Sequence, residues 1–174
     1  MGQFETSFSR SKIVMKVFIS HQSKDAEIAS DIYRELKHYG IKAYLDTFDN
    51  SLVYDSKALT EHLKNIVRES SDILVVMSEN TASSWWVPFE IGMAANQDLP
   101  TVTFLQNSVG LPKYLDYWPR LKTLNDIEKY VRIRREHKEH MQETRKALDS
   151  SIEMFSQRSA STTDTFYKRL KSVL

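Results

Sequence analysis

The sequence predicts an α/β fold with a parallel sheet covered on both faces. Three observations lead there. Short β-branched or apolar runs recur along the first 105 residues, segments with apolar positions at helical spacing alternate with them, and the connections are short.

The first run is residues 15–20, with Val17 and Ile19 on one face and Phe18 on the other. Ser23 then offers a helix N-cap, and Asp25 and Glu27 fall in the first turn, where negative charge suits the helix dipole. Ile28, Ile32 and Leu36 repeat every four residues, and Gly40 closes this helix as a left-handed cap. Residues 41–45 make a second strand ending at Asp46, followed by a polar loop over 47–55. Leu59, Leu63 and Ile66 form the apolar stripe of a second helix. Residues 72–78 are the clearest buried strand. A loop over 79–84 leads to a helix whose first turn holds Pro88, where a missing N–H costs nothing, and which runs to about Asn96. Residues 99–105 are the fourth strand and 120–124 a short fifth.

Right-handed crossovers between such elements give a flavodoxin-like, doubly wound sheet of five parallel strands, which binds ligands at the carboxyl ends of its strands. Here those ends are Ser20-His21, Asp46 and Ser78, with Trp85 and Trp86 in the loop just after. From Asp126, the positions Ile127, Tyr130, Val131, Met141, Leu148, Ile152 and Phe155 fit one or two long helices. A break is expected over 156–164 and a last short helix over 165–174. The chain thus divides into an N-terminal arm (1–14), the α/β domain (15–125) and a C-terminal helical extension (126–174).

Composition narrows the chemistry. The 174 residues are 41% hydrophobic and 27% charged, which is ordinary for a globular chain. Lysine plus arginine number 24 against 23 acidic residues, so the net charge of +1 gives no reason to expect a membrane surface or nucleic acid as the main partner. With no cysteine, disulfides, thiolate nucleophiles, zinc fingers and iron–sulfur clusters drop out together, and a cytoplasmic location is expected. Residues 73–77 are the longest unbroken apolar run, far short of a membrane span. Gly2 followed by Thr6 meets the loose myristoylation pattern, which fixes so few positions that it reads as chance.

The four glycines are too scattered for either common phosphate-binding fingerprint. Ser20-His21 and Ser78 stand where a phosphoacceptor receiver would carry aspartates, and no Gly-x-Ser-x-Gly elbow exists. Of five histidines only His137 and His140 share a close helical face, inside the charged run 134–140. That run reads as a solvated face rather than a metal site, and no metal is expected. Seven Lys/Arg against three Glu over 129–146 make a modestly basic stretch, but without interleaved aromatics it is a weak nucleic-acid signal.

What remains is Ser83-Ser-Trp-Trp-Val-Pro-Phe-Glu90. Trp86 and Glu90 stand four residues apart and so share a helix face. An aromatic plane beside a carboxylate can hold a flat cationic ring and steady positive charge developing nearby. Equally, the tryptophans can be core and Glu90 a partner of the helix dipole.

The chain resembles the TIR (Toll/interleukin-1 receptor) domain family in its bacterial form. The resemblance rests on Val17-Phe-Ile-Ser-His-Gln-Ser-Lys-Asp25, Tyr39-Gly-Ile-Lys-Ala-Tyr-Leu-Asp46, Ser71-Asp-Ile-Leu-Val-Val-Met-Ser78 and Ser83-Ser-Trp-Trp-Val-Pro-Phe-Glu-Ile-Gly92, in that order. It covers roughly residues 15 to 125. Many TIR domains of this type cleave NAD+ at the nicotinamide–ribose bond, and the resemblance implies that activity here, with NAD+ as substrate and no cofactor. Glu90 matches the catalytic glutamate of the family's Trp-x-x-x-Glu motif and Trp86 its tryptophan. Phe18, Ser20, Ser23 and Lys24 match the first-strand segment lining the substrate cleft, Ser84 the small polar residue before the tryptophan, and Asp46 the acidic residue ending the second strand.

The chain also resembles the stand-alone TIR enzyme of Thoeris anti-phage systems. That likeness implies a cyclic ADP-ribose signal read by a separate effector, and self-association through TIR–TIR contacts. Two other classes remain: a non-catalytic TIR adaptor, and a nucleoside deoxyribosyltransferase of similar architecture. The enzymatic reading requires an opening beside Glu90 wide enough for a nucleotide.

Overall fold

The computed structural model describes residues 15–45, 56–82, 86–106, 109–110, 113–147 and 155–174. Five strands, β1 (Lys16–Ser20), β2 (Lys42–Leu45), β3 (Asp72–Met77), β4 (Thr101–Leu105) and β5 (Arg120–Leu121), form one sheet in the order β2-β1-β3-β4-β5. Every pair is parallel, with Phe18 opposite Ile73 and Leu74 opposite Val102. This is the flavodoxin-like order. Its switch point lies between β1 and β3, where chain connections leave in opposite directions and a crevice opens at the carboxyl ends.

Alternation along the strands sorts the core into two layers. Val17, Ile19, Leu74, Val76, Val102, Phe104 and Leu121 point to one face. There they meet Ile32 and Leu36 of α1 (Ala26–His38), Ile127 and Val131 of α5 (Asn125–Ala147), and Phe166 and Leu170 of α6 (Phe155–Lys171). Phe18, Ile73, Val75 and Met77 point the other way. They meet Ile66 and Val67 of α2 (Ser56–Glu69) and Val87, Ile91 and Ala94 of α4 (Trp86–Asn96). The period of two in a strand places Phe18 and Ser20 on that second face together, toward α4.

Helix ends follow from backbone bookkeeping. Gly40 has φ +69°, and the N–H groups of Gly40 and Ile41 bond the Lys37 and Leu36 carbonyls, closing α1 as the glycine predicts. Asp98 (φ 50°) closes α4 in the same way, with the N–H groups of Asp98 and Leu99 on the Ala95 and Ala94 carbonyls.

Some expectations shift. The loop expected over 79–84 holds a helical turn, α3 (Glu79–Ala82), because Ser78 Oγ accepts from the Asn80 N–H (3.0 Å) and caps it. β4 starts at Thr101, not residue 99. β5 is two residues long because the N–H groups of Lys122 and Thr123 bond the Asp126 carboxylate (3.0 Å each) at the start of α5 instead of extending the strand. The break expected over 156–164 is helix, part of α6. Serines and threonines lower helix propensity there, but Phe166, Tyr167 and Leu170 dock the same helix into the core.

The charged run 134–140 is not a wholly solvated face. Arg134 and His137 are both 7% exposed, Arg134 over the Phe166 ring and His137 against it. The helices beyond residue 125 thus share the first core layer with β1, β3 and β4. The loop 47–55 lies outside the described residues, as do residues 1–14.

Candidate functional site

The carboxyl end of β1 meets α4 through a polar contact. The Ser20 hydroxyl donates to Glu90 Oε2. Both residues are 1% exposed. Two periodicities bring them together. Ser20 is two residues beyond Phe18 on the face that α4 covers. Glu90 lies between Val87, Ile91 and Ala94 on the inward stripe of α4, so its carboxylate aims at the sheet. Burying a carboxylate is costly unless hydrogen bonds replace its water, and the Ser20 hydroxyl supplies one such bond.

With Glu90 at 1% exposure its carboxylate is covered. A groove of about 840 Å³ lies beside β5, lined by Leu105, Trp118, Arg120, Lys122 and Lys171 among others, at the far side of the sheet from β1.

The other candidate residues fall in three groups. Phe18 is fully buried in the second core layer, its ring 6.2 Å from that of Tyr44. Ser23 and Lys24 are exposed on the single 3-10 turn Ser23–Asp25 that leads from β1 to α1. Asp46 and Ser84 lie outside the described residues; Trp86 opens α4, and its side chain is likewise not described.

A second polar cluster adjoins this end of the sheet and was missed from sequence. Asp25, 4% exposed, accepts from Ser78 Oγ (2.6 Å) and from Asn80 Nδ2 (2.7 Å). Ser78 N–H in turn bonds Thr81 Oγ1 (3.1 Å), whose hydroxyl donates to the Val76 carbonyl (3.0 Å). A signal was present. Asp25 stands three, four and seven residues before Ile28, Ala29 and Ile32, on the stripe by which α1 packs. A carboxylate on an apolar stripe implies a buried partner, not only a dipole effect.

Among the described residues, no group of three or more His, Asp or Glu side chains could hold a metal ion. No helix among them is long and apolar enough to cross a membrane.

Comparison with known proteins adds the following. The family model described as "TIR domain" matches residues 17–148. The chain is 29% identical over 95 residues to "Putative cyclic ADP-D-ribose synthase TIR2" of Cytobacillus dafuensis, a stretch that is 52% of this chain and 25% of the relative. The chain therefore matches about a quarter of that relative's length. It is also similar to the TIR domains in the structure of the activated Roq1 resistosome directly recognizing the pathogen effector XopQ, at 18% identity and a TM-score of 0.44, over 91% of this chain and 82% of that one.

Proposed function

Given that the chain belongs to the TIR domain family, we propose that it cleaves NAD+ at the nicotinamide–ribose bond. The observation that carries this reading is the contact of Glu90 with Ser20 at the carboxyl end of β1, beside the fold's switch point. The Cytobacillus relative, "Putative cyclic ADP-D-ribose synthase TIR2", points to the same chemistry.

Breaking an N-glycosidic bond passes through an oxocarbenium-like ribose, as in other glycoside cleavages. Nicotinamide departs as a neutral base, so no strong general acid is needed. The work left to the protein is to hold the ribose and steady its positive charge, which a fixed carboxylate does well in a water-poor site. Glu90 takes that role. Ser20 holds Oε2 and leaves the carboxylate oriented when substrate arrives, and its hydroxyl marks the place a ribose hydroxyl would take. Ser23 and Lys24, exposed on the turn after β1, are assigned to the substrate's pyrophosphate, which a lysine charge suits. Phe18, Trp86, Ser84 and Asp46 complete the proposed substrate contacts. NAD+ is a substrate in this scheme, in keeping with the missing glycine fingerprint.

The covered carboxylate adds a requirement. The packing over Glu90 must open before NAD+ can reach its carboxylate. Self-association through TIR–TIR contacts is the proposed means. If the adenine or a ribose hydroxyl of the same molecule traps the cation before water does, the product is a cyclic ADP-ribose. We take that product, read by a separate effector in anti-phage defence, as the physiological output.

The same burial favours a second reading. A glutamate at 1% exposure fits an adaptor TIR domain that associates without chemistry. Incubating purified protein with NAD+ and measuring nicotinamide separates the two. The enzyme releases it, and Glu90→Gln and Glu90→Ala do not. Silence at every protein concentration, and in host cells during phage infection, supports the adaptor. Mass spectrometry of the product tells ADP-ribose from its cyclic isomers.

A further inference from the structure

We propose that Asp25 is a positioning residue for this site, clamping the turn after β1 to the start of α3 so that Ser20 meets Glu90. The inference rests on the NAD+-cleaving reading for its kinetic consequence and on geometry alone for the clamp.

Two cross-links join the same pair of chain segments. Residues 20–25 run from the end of β1 into α1, and residues 78–90 run from the end of β3 through α3 into α4. Ser20 bonds Glu90 across them, and Asp25 bonds Ser78 and Asn80 across them. Among the described residues the backbone pairing of β1 with β3 ends at Ser20 opposite Val75, short of this region. Beyond that pair, side chains must fix the distance between the two segments. The Asp25 carboxylate does so with both oxygens, one on each partner.

The clamp is rigid at each end. Asp25 N–H bonds the Gln22 carbonyl (2.7 Å), which fixes the turn that carries Ser23 and Lys24. Ser78, besides donating to Asp25, accepts the Asn80 N–H (3.0 Å) and so caps α3. A shift of either segment would therefore stretch a charge-assisted hydrogen bond at buried atoms, which is stronger than a neutral one. Asparagine at position 25 is nearly isosteric but cannot reproduce the clamp. It lacks the charge, and where the carboxylate offers an accepting oxygen to each partner it would turn an NH2 donor toward one of them, the Ser78 hydroxyl or the Asn80 amide.

The experiment is a double-mutant cycle of Asp25→Asn and Ser20→Ala, measured at a temperature where thermal melts show every variant folded. Nicotinamide release gives kcat and KM, and hydrogen exchange reads the amides of residues 78–82. The clamp predicts that Asp25→Asn lowers kcat about 10- to 100-fold, as misplacement of a reacting group does, with a smaller change in KM. It also predicts that this loss shrinks on the Ser20→Ala background, because both substitutions spoil one alignment. Exchange at 78–82 rises in Asp25→Asn.

A wild-type kcat in folded Asp25→Asn, or losses that simply multiply in the double variant, would overturn the proposal while leaving the NAD+ reading intact. If wild-type protein turns over no NAD+, that reading fails. Exchange then decides the clamp by itself, and unchanged protection at 78–82 in Asp25→Asn rejects it.

Discussion

Removing the guanidinium of Arg134 is expected to weaken the attachment of the C-terminal helices more than any surface change on them. Asp72 opens β3 and is completely buried. Arg134 reaches it from α5, Nε to Oδ1 at 2.5 Å, with its own side chain 8% exposed. The same guanidinium lies 5.2 Å above the Phe166 ring of α6. One cation thus ties the sheet, α5 and α6 together. Burial pulls the Arg134 pKa down, but the Asp72 charge, the hydrogen bond to it and the nearby Tyr130 and Tyr167 together outweigh burial, so the net shift is upward and the guanidinium stays charged. Breaking a buried pair at one partner strands the other charge and costs about 3–5 kcal/mol.

In Arg134→Met the Ser71 hydroxyl still donates to Asp72 Oδ2 (2.6 Å), which offsets only part of that cost. The double variant Asp72→Asn/Arg134→Met removes both charges and should lose less than half as much. Urea unfolding at neutral pH, followed by circular dichroism, measures both. A loss under about 1 kcal/mol in Arg134→Met would refute the reasoning, because the stranded carboxylate would then have found water or another cation.

Acid should destabilise the fold in two separate windows. Burial pushes the His137 imidazole down to about 4, with Arg134 and Arg169 adding to the shift, so the folded state prefers it neutral. Its contribution is complete above pH about 6.5 and is lost as pH falls toward 4, amounting to at most about 3 kcal/mol; His137→Gln should flatten that part of a stability–pH curve. Burial raises Asp126, but Lys129 and the bonds from Lys122 and Thr123 outweigh it and take the carboxyl to about 2. Its contribution, about 2 kcal/mol, is present above pH about 4 and disappears between 4 and 2, and Asp126→Asn should remove that lower step. At Asp98, whose φ of 50° suits glycine, Asp98→Gly should raise stability by up to about 1 kcal/mol in the same unfolding assay; a loss would show that the aspartate side chain contributes more than the strain costs.

Strands and helices were largely legible because their signals are periodic. Val17, Ile19 and Phe18 alternate, and Ile28, Ile32 and Leu36 recur at helical spacing, so each face could be assigned before any contact was known. The meeting of Ser20 and Glu90 was legible in part. Its two stripes can be read locally, but that they face each other depends on α4, which packs on β3 and β4, reaching the end of β1, a long-range fact. Capping geometry misled at β5, where Asp126 takes the backbone donors of residues 122 and 123. At 156–164 serine-rich composition suggested a break, and packing eleven residues into the same helix overrode it, since tertiary burial outweighs propensity. The burial of His137 was hidden in a run of charges, because only its angular position relative to Arg134 and Phe166 decides it.

The decisive measurement is nicotinamide released from NAD+ by the wild-type chain and by Glu90→Gln, across a range of protein concentrations. Catalysis at the Ser20–Glu90 contact predicts release by wild type that rises more steeply than in proportion to protein as copies associate, and a fall of about 100-fold or more in Glu90→Gln. Equal release by both proteins would contradict it, since the carboxylate would then have no part in the reaction.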